Sequence, residues 1–441
     1  MAQNVGRREL LKLAGAGLLG LAVGLGGGYT IGRRVAEAEA EARRKIKALW
    51  IYVGPIEDIG WTAAHHESKE NVSKMFDWLE AKHIPSVREE EALRVIEAEL
   101  RAEEYHAVFA TSYGFKEAVK TLAKRYPDVK FYHCSGEYED FAKEGLNNVA
   151  TYFAEFYQLY FLNGVAGGAV TETCRVGYVP AFLIPEVVRH INAFALGAVY
   201  GAKLAGKCGG GRDLKIYVTK PLKSWFAPDK AKEDARYLVE SYNVDVLAYT
   251  EDTTAVLDVA EEYWGRGRRV YSFSHYSDMY TYYLRKYGRR YRSHLTGQVA
   301  DWTPIVAYLL AKLYAGFFES EDVWARLGDF SPFKWARKPE ESRAGKPEGA
   351  VYLAELNTEV IPPAVIREIK RLYEEMKELM FEPFSGEVGE LLDDRDGIYG
   401  YKIDFDGNPL EKQTLKIPKG RRASRDDLWY MDWFYWKIER V

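Results

Sequence analysis

The stretch RVGYVPAFLIPEVVRHINAFALGAVYGAKL, residues 175–204, carries the clearest fold signal in the chain. Its first five residues are predicted to form a strand, because Val176, Tyr178 and Val179 are residue types favoured in strands. The loop that follows contains two prolines, and the apolar run over 186–204 is long enough for a helix. A strand followed by a long helix is the basic unit of an α/β protein.

The same unit repeats along most of the chain. Strands are predicted over 46–53, 107–111, 129–133, 148–153, 175–179, 214–219 and 244–249, and helices over 63–83, 89–103, 115–125, 156–170, 186–204, 230–242 and 254–263. This alternation predicts parallel sheets covered by helices on both faces. Near the end, 399–405 and 414–417 are predicted to pair as a hairpin around a turn at 404–409.

The composition indicates a two-lobed globular protein. Beyond the leader the chain has about 400 residues, more than one hydrophobic core usually serves. Lys and Arg total 61 against 65 Asp and Glu. This near balance argues against a nucleic-acid partner.

Cysteine and histidine usage predicts neither a metal site nor a cofactor. Cys134, Cys174 and Cys208 are too few and too scattered for a disulfide scaffold or a zinc site. One pair can bridge outside the cell, which would leave an odd thiol, and Cys134 and Cys174 are favoured as buried small side chains. The sequence contains no His-Glu-x-x-His or Cys-x-x-Cys pattern.

The first 34 residues predict where the protein works. The motif RRELLK at 7–12 precedes an uncharged segment rich in Leu, Ala and Gly over 13–32. Twin-arginine export signals have this pattern, and the apolar segment is also just long enough to span a bilayer. Residues 1–34 are therefore predicted to be a twin-arginine signal or a membrane anchor, and 35–47 a helical stalk. The body of the protein is expected outside the cytoplasm, tethered to the membrane or released after cleavage.

The loops at the predicted strand ends share one kind of chemistry. They lie at 54–62, 111–115, 133–138, 180–186, 224–228, 249–254 and 273–279, and they are rich in aromatic, hydroxyl and amide side chains. In α/β folds of this kind, ligands bind beyond the carboxyl ends of the strands. Aromatic faces stack on a flat ring while nearby polar groups bind its edge. The loops therefore predict a site for a flat polar ring.

Several of these segments resemble a known family. The stretch IPEVVRHINAFALG at 184–197 is similar to a block of the basic membrane protein family. Its members are substrate-binding components of ABC importers, of which the purine nucleoside receptor is the best understood type. Shorter similarities lie at 58–61, 112–115, 133–136, 148–153, 225–228, 356–357, 384–386 and 431–434.

The resemblance implies a type I periplasmic-binding-protein fold. This is an α/β fold of two doubly wound parallel-sheet lobes joined by a three-segment hinge. Lobe one is expected to contain 48–151 and 302–350, and lobe two 152–301 and 351–441 with a C-terminal extension. The crossings are expected near 148–152, 299–302 and 350–355. The resemblance also implies a monomer that passes its ligand to the membrane subunits of an ABC importer.

The resemblance further implies two aromatic loops around the ligand. Trp61 offers a wide face for stacking, and Phe226 or its neighbour Trp225 covers the opposite face. Edge contacts are expected from Asp58, Thr62, Ser112, Ser135, Asp252 and Asp278, with His65, Tyr113 and Tyr276 nearby. A donor or acceptor left unpaired in a closed pocket costs about 1–3 kcal/mol, so edge contacts decide which ring binds.

Two positions depart from the family pattern. Members commonly have Asp-Ser-Asp where this chain has Tyr276-Ser277-Asp278, and the first acid contacts the ligand. Either Asp278 takes over that contact or the ligand is bound differently. Ala227 stands where an Asp usually braces the second aromatic loop.

We predict a protein that captures a purine-type ligand without turnover, either a nucleoside or a free base such as adenine. Two alternatives of other classes stay open: an exported nucleoside hydrolase and a ligand-sensing receptor domain. A hydrolase would need a calcium-binding acid cluster or two carboxylates flanking the glycosidic bond. No such acid-rich run follows the first predicted strand, and no kinase or helical signalling module is recognisable in the sequence.

Overall fold

Strands and helices alternate along the chain, as the hydrophobic pattern predicts. The protein's structure is a computed structural model that describes residues 45–209, 213–329, 349–393 and 395–441. The predicted leader and nearly all of the predicted stalk lie outside these residues. Lys47–Val441 form one compact unit. Among the described helices, none combines the length and apolar character needed to cross a membrane.

A six-stranded sheet forms the centre of the first lobe. Its strands are β1 (Ile46–Ile51), β2 (Leu79–Ile84), β3 (Ala107–Ala110), β4 (Lys130–Cys134), β5 (Val149–Ala154) and β11 (Asp322–Ala325), in the order β11-β5-β4-β3-β1-β2. The pairs β1–β3, β3–β4, β4–β5 and β5–β11 are parallel. Every residue of β3 is completely buried, as expected of a parallel strand covered on both faces.

Helices from two distant parts of the chain accompany this sheet. They are α1 (Trp61–Met75), α2 (Ala92–Ala102), α3 (Lys116–Arg125), α4 (Tyr138–Lys143) and α10 (Thr303–Tyr314). The late helix α10 packs on α1, and Asn71 Nδ2 donates a hydrogen bond to Thr303 Oγ1 at 3.1 Å. The chain therefore returns to the first lobe after it has built much of the second.

The second lobe contains two smaller sheets. One has the order β16-β7-β6-β8 and is built from β6 (Arg175–Val179), β7 (Lys215–Val218), β8 (Val246–Tyr249) and β16 (Ile438–Arg440). The other has the order β12-β10-β9 and is built from β9 (Ser272–Tyr276), β10 (His294–Ala300) and β12 (Val351–Leu353). All of these pairings are parallel except β10–β12. The accompanying helices are α5 (Tyr157–Val170), α6 (Pro185–Leu204), α7 (Pro228–Ser241), α8 (Ala255–Gly265) and α9 (Met279–Tyr287).

Helix α6, which contains most of the 184–197 block, packs directly on α5 through glycines. A Cβ atom on Gly197 would overlap the carbonyl oxygen of Phe161, and one on Gly164 would overlap that of Phe194. Glycine permits the two backbones to approach this closely because it has no side chain. The run of small residues in α6 is therefore explained by helix packing.

The C-terminal part adds an antiparallel sheet and three helices to the second lobe. They are α11 (Pro363–Lys377), α12 (Gly386–Asp393), α13 (Arg425–Trp429), β13 (Gly397–Lys402), β14 (Thr414–Pro418) and β15 (Trp433–Tyr435), with the strand order β14-β13-β15. The predicted hairpin is confirmed as the antiparallel pair β13–β14. In the turn that precedes β14, Asp404 Oδ1 accepts hydrogen bonds from the backbone N–H groups of Asp406 and Asn408.

The prediction of one helix over 63–83 is wrong in its second half. Helix α1 ends at Met75, and the sequence LEAKHI then forms β2 at the edge of the first sheet. Leu, Glu, Ala and Lys are good helix formers, so the local sequence favours a helix. Pairing at a half-exposed sheet edge overrides this preference and tolerates the polar side chains.

The segments expected to connect the lobes lie as follows. Strand β5 stays in the first sheet up to Ala154, so the chain leaves this sheet after the segment 148–152 that was expected to cross. The expected second and third crossings lie side by side, because the N–H of Asp301 donates to the carbonyl of Ala350 at 2.8 Å.

Two of the three cysteines are joined. Cys174 and Cys208 form a disulfide with their Cα atoms 5.5 Å apart. Cys134 is free and buried, as predicted. Cys174 is also buried, as predicted. Because it is bonded to Cys208, the prediction of an unbonded small side chain is wrong for this residue.

Candidate ligand-binding site

A small cavity lies at the carboxyl ends of the strands, where residues of both lobes meet. The first lobe contributes Val53, Trp61, Ser112, Tyr113 and Ser135 to its wall, and the second lobe contributes Glu186, Trp225, Asp252 and Tyr276. All except Val53 and Glu186 were predicted as site residues. The rule that ligands bind beyond the strand ends therefore led to the cavity that the structure contains.

Two tryptophans from different lobes form the aromatic part of the wall. Trp61 is 6% exposed, and its Nε1 donates to the carbonyl oxygen of Thr111 at 2.6 Å. Trp225 comes from the loop before α7, and its ring packs against Phe182 at 4.7 Å between centroids. Phe226 is 43% exposed and does not line the cavity. Of the two candidates for the second aromatic, only Trp225 reaches the cavity wall.

A half-buried acid, Glu89, connects the two lobes at the rim of the cavity. Its Oε1 accepts hydrogen bonds from Ser112 Oγ at 2.6 Å, from the Gly114 N–H at 3.1 Å and from Trp225 Nε1 at 3.2 Å. The first two donors belong to the first lobe and the third to the second. Glu89 therefore links the two lobes in this structure, a contribution that the sequence did not reveal.

Two predicted residues support the cavity from behind its wall. The Asp58 carboxylate accepts hydrogen bonds from the backbone N–H groups of Gly60, Thr62 and Ala63 at 2.8–2.9 Å and so caps helix α1. Burial raises the pKa of Asp58 to about 6, although these hydrogen bonds oppose the shift. Thr62 Oγ1 accepts from the Gly54 N–H at 3.2 Å. These residues position Trp61 and do not line the cavity.

His65 lies in an aromatic cluster rather than in the cavity wall. Its ring stacks on Trp302 at 4.5 Å with an interplanar angle of 8°. It also meets the Trp61 ring edge-on at 4.9 Å. Complete burial holds the pKa of His65 well below its usual range, so the ring is neutral at physiological pH.

The departure from the family's Asp-Ser-Asp pattern changes the chemistry of this wall. Tyr276 lines the cavity, and its hydroxyl donates to Glu186 Oε1 at 3.0 Å. The Asp278 side chain instead accepts from the Thr281 N–H at 3.1 Å and caps α9. Asp278 therefore does not occupy the place of the missing acid. The cavity wall contains the hydrogen-bonded pair Tyr276–Glu186 instead.

Glu186 and Asp252 are the two acids of the cavity wall. Burial is the main reason that the pKa of Glu186 is raised. Burial, together with the charges of Asp58, Glu251 and Glu186, holds the pKa of Asp252 well above its usual range. Oδ1 of Asp252 makes no hydrogen bond within the described residues and lies 3.6 Å from His275 Nε2. A protonated carboxyl group at this position can both donate and accept a hydrogen bond.

A neighbouring acid braces the loop in which Ala227 replaces the usual Asp. Glu251 Oε1 accepts from the Ala227 N–H at 2.9 Å, and Oε2 accepts from the hydroxyl of Thr253 at 2.6 Å. Burial raises the pKa of Glu251 to about 7. Glu251 thus supplies the support that the substitution at Ala227 removes.

The wall of this cavity carries no Lys or Arg among the described residues. Its polar groups are two acids with raised pKa values and several hydroxyls. Such a wall suits an uncharged ligand with hydrogen-bond donors and acceptors and disfavours an anion. No cluster of three or more His, Cys, Asp or Glu side chains suited to a metal ion is found in the part of the chain that the structure describes.

The parallel sheets, the crossing segments and the cavity at the strand ends define a type I periplasmic-binding fold. Two solved ABC transporter solute-binding proteins share it. The one from Aeropyrum pernix has a TM-score of 0.59 and 15% identity, with 76% of this chain and 91% of that chain covered. The one from Conexibacter woesei has a TM-score of 0.52 and 19% identity, with 76% and 98% covered.

The chain belongs to the Bmp family, described as ABC transporter substrate-binding protein PnrA-like, whose model matches residues 45–326. Proteins of this class act outside the cytoplasm, and no enzyme family is indicated. A purine-binding protein of Brucella abortus is 29% identical over 324 residues, which cover 72% of this chain and 84% of the relative. An ABC transporter glucose-binding protein of Haloferax volcanii is 29% identical over 287 residues, which cover 64% of each chain. This chain thus spans slightly less than two thirds of the Haloferax relative.

Proposed function

We propose that the protein captures a purine-type ligand, a nucleoside or a free base such as adenine, between its two lobes outside the cytoplasm. It then delivers the ligand unchanged to the membrane subunits of an ABC importer. The receptor is a monomer, and its N-terminal segment tethers it to the membrane or is cleaved on export.

The observation that carries this proposal is the pair of tryptophans that line one cavity from opposite lobes. Trp61 and Trp225 are each fixed by an indole N–H hydrogen bond, to Thr111 O and Glu89 Oε1 respectively. Rings held in this way are pre-organised to stack on a flat heterocycle when the lobes close. Each aromatic pair contributes about 0.5–1.5 kcal/mol beyond the burial of area.

The polar groups of the wall fit the edge of a purine. The carboxyls of Asp252 and Glu186 accept hydrogen bonds and, when protonated, also donate them, and the hydroxyls of Ser112 and Ser135 lie in the same wall. A purine edge presents donors and acceptors side by side. The purine-binding relative supports this ligand class.

A monosaccharide is the second candidate, because the other relative is a glucose-binding protein and sugars also bind to aromatic and carboxyl side chains. A melting-temperature screen separates the two. Adenine, adenosine, guanosine, cytidine, glucose and ribose are tested separately against the purified protein. A ligand at 100 times its Kd stabilises the folded state by about 2.7 kcal/mol, which raises the melting temperature by several degrees. Shifts with glucose or ribose but with no purine would reject the purine proposal.

The Trp61→Ala variant tests the stacking residue. We expect it to bind the best purine more than about tenfold more weakly, since a large aromatic contact is lost. Trp264→Ala is the matched control, because Trp264 is a partly buried tryptophan of α8 that does not line the cavity. Equal affinity of the wild type and Trp61→Ala, measured by calorimetry, would place Trp61 outside the site.

Two further measurements complete the proposal. Chromatography of the ligand after long incubation with the protein should recover it unaltered, whereas a hydrolase would release free base and sugar. N-terminal sequencing of the protein from its native host distinguishes an intact Arg7-Arg8 anchor from a cleaved leader.

A further inference from the structure

A chain of buried hydrogen bonds leads from the interior of the second lobe toward the cavity. His275 lies on β9 directly before Tyr276 of the cavity wall, and it is completely buried. Its register partner on the neighbouring strand β10 is Gln298. Two residues of α5 extend the chain, because Tyr160 Oη lies 2.9 Å from His275 Nδ1 and Asn163 Nδ2 donates to Gln298 Oε1 at 2.6 Å.

The contacts at Nδ1 decide which imidazole nitrogen of His275 carries the proton. Gln298 uses its Oε1 to accept from Asn163, so its Nε2 is the atom that lies 2.8 Å from His275 Nδ1. An amide nitrogen only donates, and Nδ1 must therefore accept. Burial holds the pKa of His275 well below its usual range, so the ring is neutral and carries one proton. That proton belongs on Nε2.

The Nε2–H group of His275 faces Asp252 in the cavity wall. Nε2 lies 3.6 Å from Asp252 Oδ1, and neither atom has a hydrogen-bond partner within the described residues. Both side chains are buried, so leaving this donor and this acceptor unpaired is unfavourable. A shortening of about 0.6 Å would give an ordinary N–H···O hydrogen bond.

The main chain of Asp252 is already held from both lobes. Its N–H donates to the carbonyl oxygen of Trp225 at 2.8 Å, and a Cβ atom on Gly60 of the first lobe would overlap its carbonyl oxygen. The orientation of the carboxyl group is what remains to be fixed. The other titratable groups that act on this carboxyl are acids, namely Asp58, Glu251 and Glu186. Ionised acids accept hydrogen bonds only, so His275 supplies the donor.

We propose that His275 is a positioning residue for ligand recognition: in the liganded protein its Nε2–H binds Asp252 Oδ1 and leaves Oδ2 to contact the ligand. A carboxyl group held through one oxygen presents the other in a single direction, and a site of this kind gains precision from such a supporting contact. The inference deepens the proposed function and rests on it, because it requires a ligand in the cavity between Trp61 and Trp225.

Two amide substitutions at one position test the inference. In His275→Gln the amide nitrogen reaches the place of Nε2 and can donate to Asp252. The shorter side chain of His275→Asn reaches only the place of Nδ1, so it keeps an acceptor for Gln298 but leaves Asp252 without its donor. In calorimetry with adenosine, we expect a Kd within about threefold of wild type for His275→Gln and about tenfold or more above it for His275→Asn.

His294→Asn is the matched control for the loss of a buried imidazole. His294 lies on the adjacent strand β10, is also buried and contacts Ser274 Oγ through its Nε2, but it does not line the cavity. Its adenosine Kd should stay within about twofold of wild type. Equal losses in His275→Gln and His275→Asn, or wild-type affinity in His275→Asn, would overturn the inference and leave the purine proposal intact.

NMR spectra of the histidine side-chain nitrogens provide a second measurement on the wild type. The signal that disappears in His275→Gln or His275→Asn identifies His275. We expect its proton on Nε2 in the free protein and a shift of this signal when adenosine binds, because the hydrogen bond to Asp252 then forms. A proton on Nδ1, or an Nε2 signal that adenosine leaves unchanged, would overturn the inference even if a variant failed to fold.

The outcomes for this inference and for the purine proposal are distinguishable. If glucose binds the wild type and adenosine does not, the purine proposal fails, and the same variants and spectra with glucose decide the role of His275. If neither compound binds the wild type, both proposals fail.

Discussion

Removal of the Glu89 contact between the lobes should weaken ligand binding. In Glu89→Gln the shape remains but the charge is lost, so three charge-assisted hydrogen bonds become neutral ones. A hydrogen bond to a charged group contributes about 1.5–3 kcal/mol and a neutral one about 0.5–1.5 kcal/mol. Of these three hydrogen bonds to Glu89, the one from Trp225 Nε1, at 3.2 Å, joins the two lobes, and the other two lie within the first lobe. Because Glu89 is half-buried, we expect the loss of its charge to destabilise the closed form by about 1 kcal/mol, which corresponds to about a fivefold loss in ligand affinity.

Ligand affinity reports on this contact because the ligand binds the closed form best. A variant that disfavours closure lowers the population of the binding-competent state, and the apparent Kd rises by the same factor. Glu89→Ala removes the acceptor entirely and should weaken binding by about tenfold or more.

The assay is calorimetric titration of wild type, Glu89→Gln and Glu89→Ala with the purine that stabilises the protein most. Glu90→Gln is the control, because the neighbouring Glu90 side chain is 67% exposed and, among the described residues, pairs with the equally exposed Arg88. An affinity of Glu89→Ala within twofold of wild type would refute the reasoning. A fall in the unliganded melting temperature without a change in affinity would assign Glu89 to folding and not to closure.

Three further predictions concern stability. Burial raises the pKa of Glu251 from 4.5 to about 7, so the folded state binds this proton more tightly than the unfolded state. The stabilisation from this proton is complete below pH 4.5 and is lost as the pH rises to 7, roughly 3 kcal/mol in all. In urea unfolding from pH 4.5 to 7, the free energy of unfolding should therefore decline less steeply for Glu251→Gln than for the wild type. Equal slopes for the two proteins would contradict the raised pKa. Cys208→Ser opens a disulfide with a sequence separation of 34 and should lower the free energy of unfolding by about 3–4 kcal/mol, measured by urea unfolding; a change below 1 kcal/mol would indicate that the bond does not form. Gly197→Ala should unfold at a much lower temperature because its Cβ overlaps Phe161 O, whereas Gly209→Ala, which has open space, should melt within 1–2 °C of wild type.

The alternation of strands and helices was predictable because each unit has its own hydrophobic period. Strand β2 was not, since its residues favour a helix and only its pairing with the sheet makes it a strand. Similarly, β11 and β16 join sheets formed by residues far away in the sequence, which local patterns cannot indicate. Local preference is a weak guide where tertiary pairing decides.

The cavity wall was predictable to the level of loops and less so to the level of side chains. Trp61, Ser112 and Asp252 lie in the wall because they follow strands whose ends meet there. Asp58 and Asp278 also follow strands, but each lies one to three residues before a helix whose backbone N–H groups bind the carboxylate. An acid just before a helix has a strong local partner, which a sequence pattern cannot distinguish from a ligand.

Glu186 was overlooked although it lies within the block that indicated the family. It is the second residue of α6, directly after Pro185, and the predicted loop 180–186 that follows β6 included it. The strand-end rule therefore pointed to its loop as well. A single acid in an otherwise apolar loop was the available signal.

Pairing of β16 with β7 has a consequence for how the protein forms in the cell. Ile438–Arg440 bind beside Ile216–Val218, so one edge of that sheet stays uncovered until more than 200 further residues have been synthesised. Long-range pairing of this kind slows folding and leaves a strand edge open to wrong partners. During synthesis, both lobes therefore remain incomplete until late. The sheet of the first lobe lacks β11, and this sheet of the second lobe lacks β16. Export of this receptor has to happen either well before this pairing, as an unfolded chain, or after it, as a finished protein.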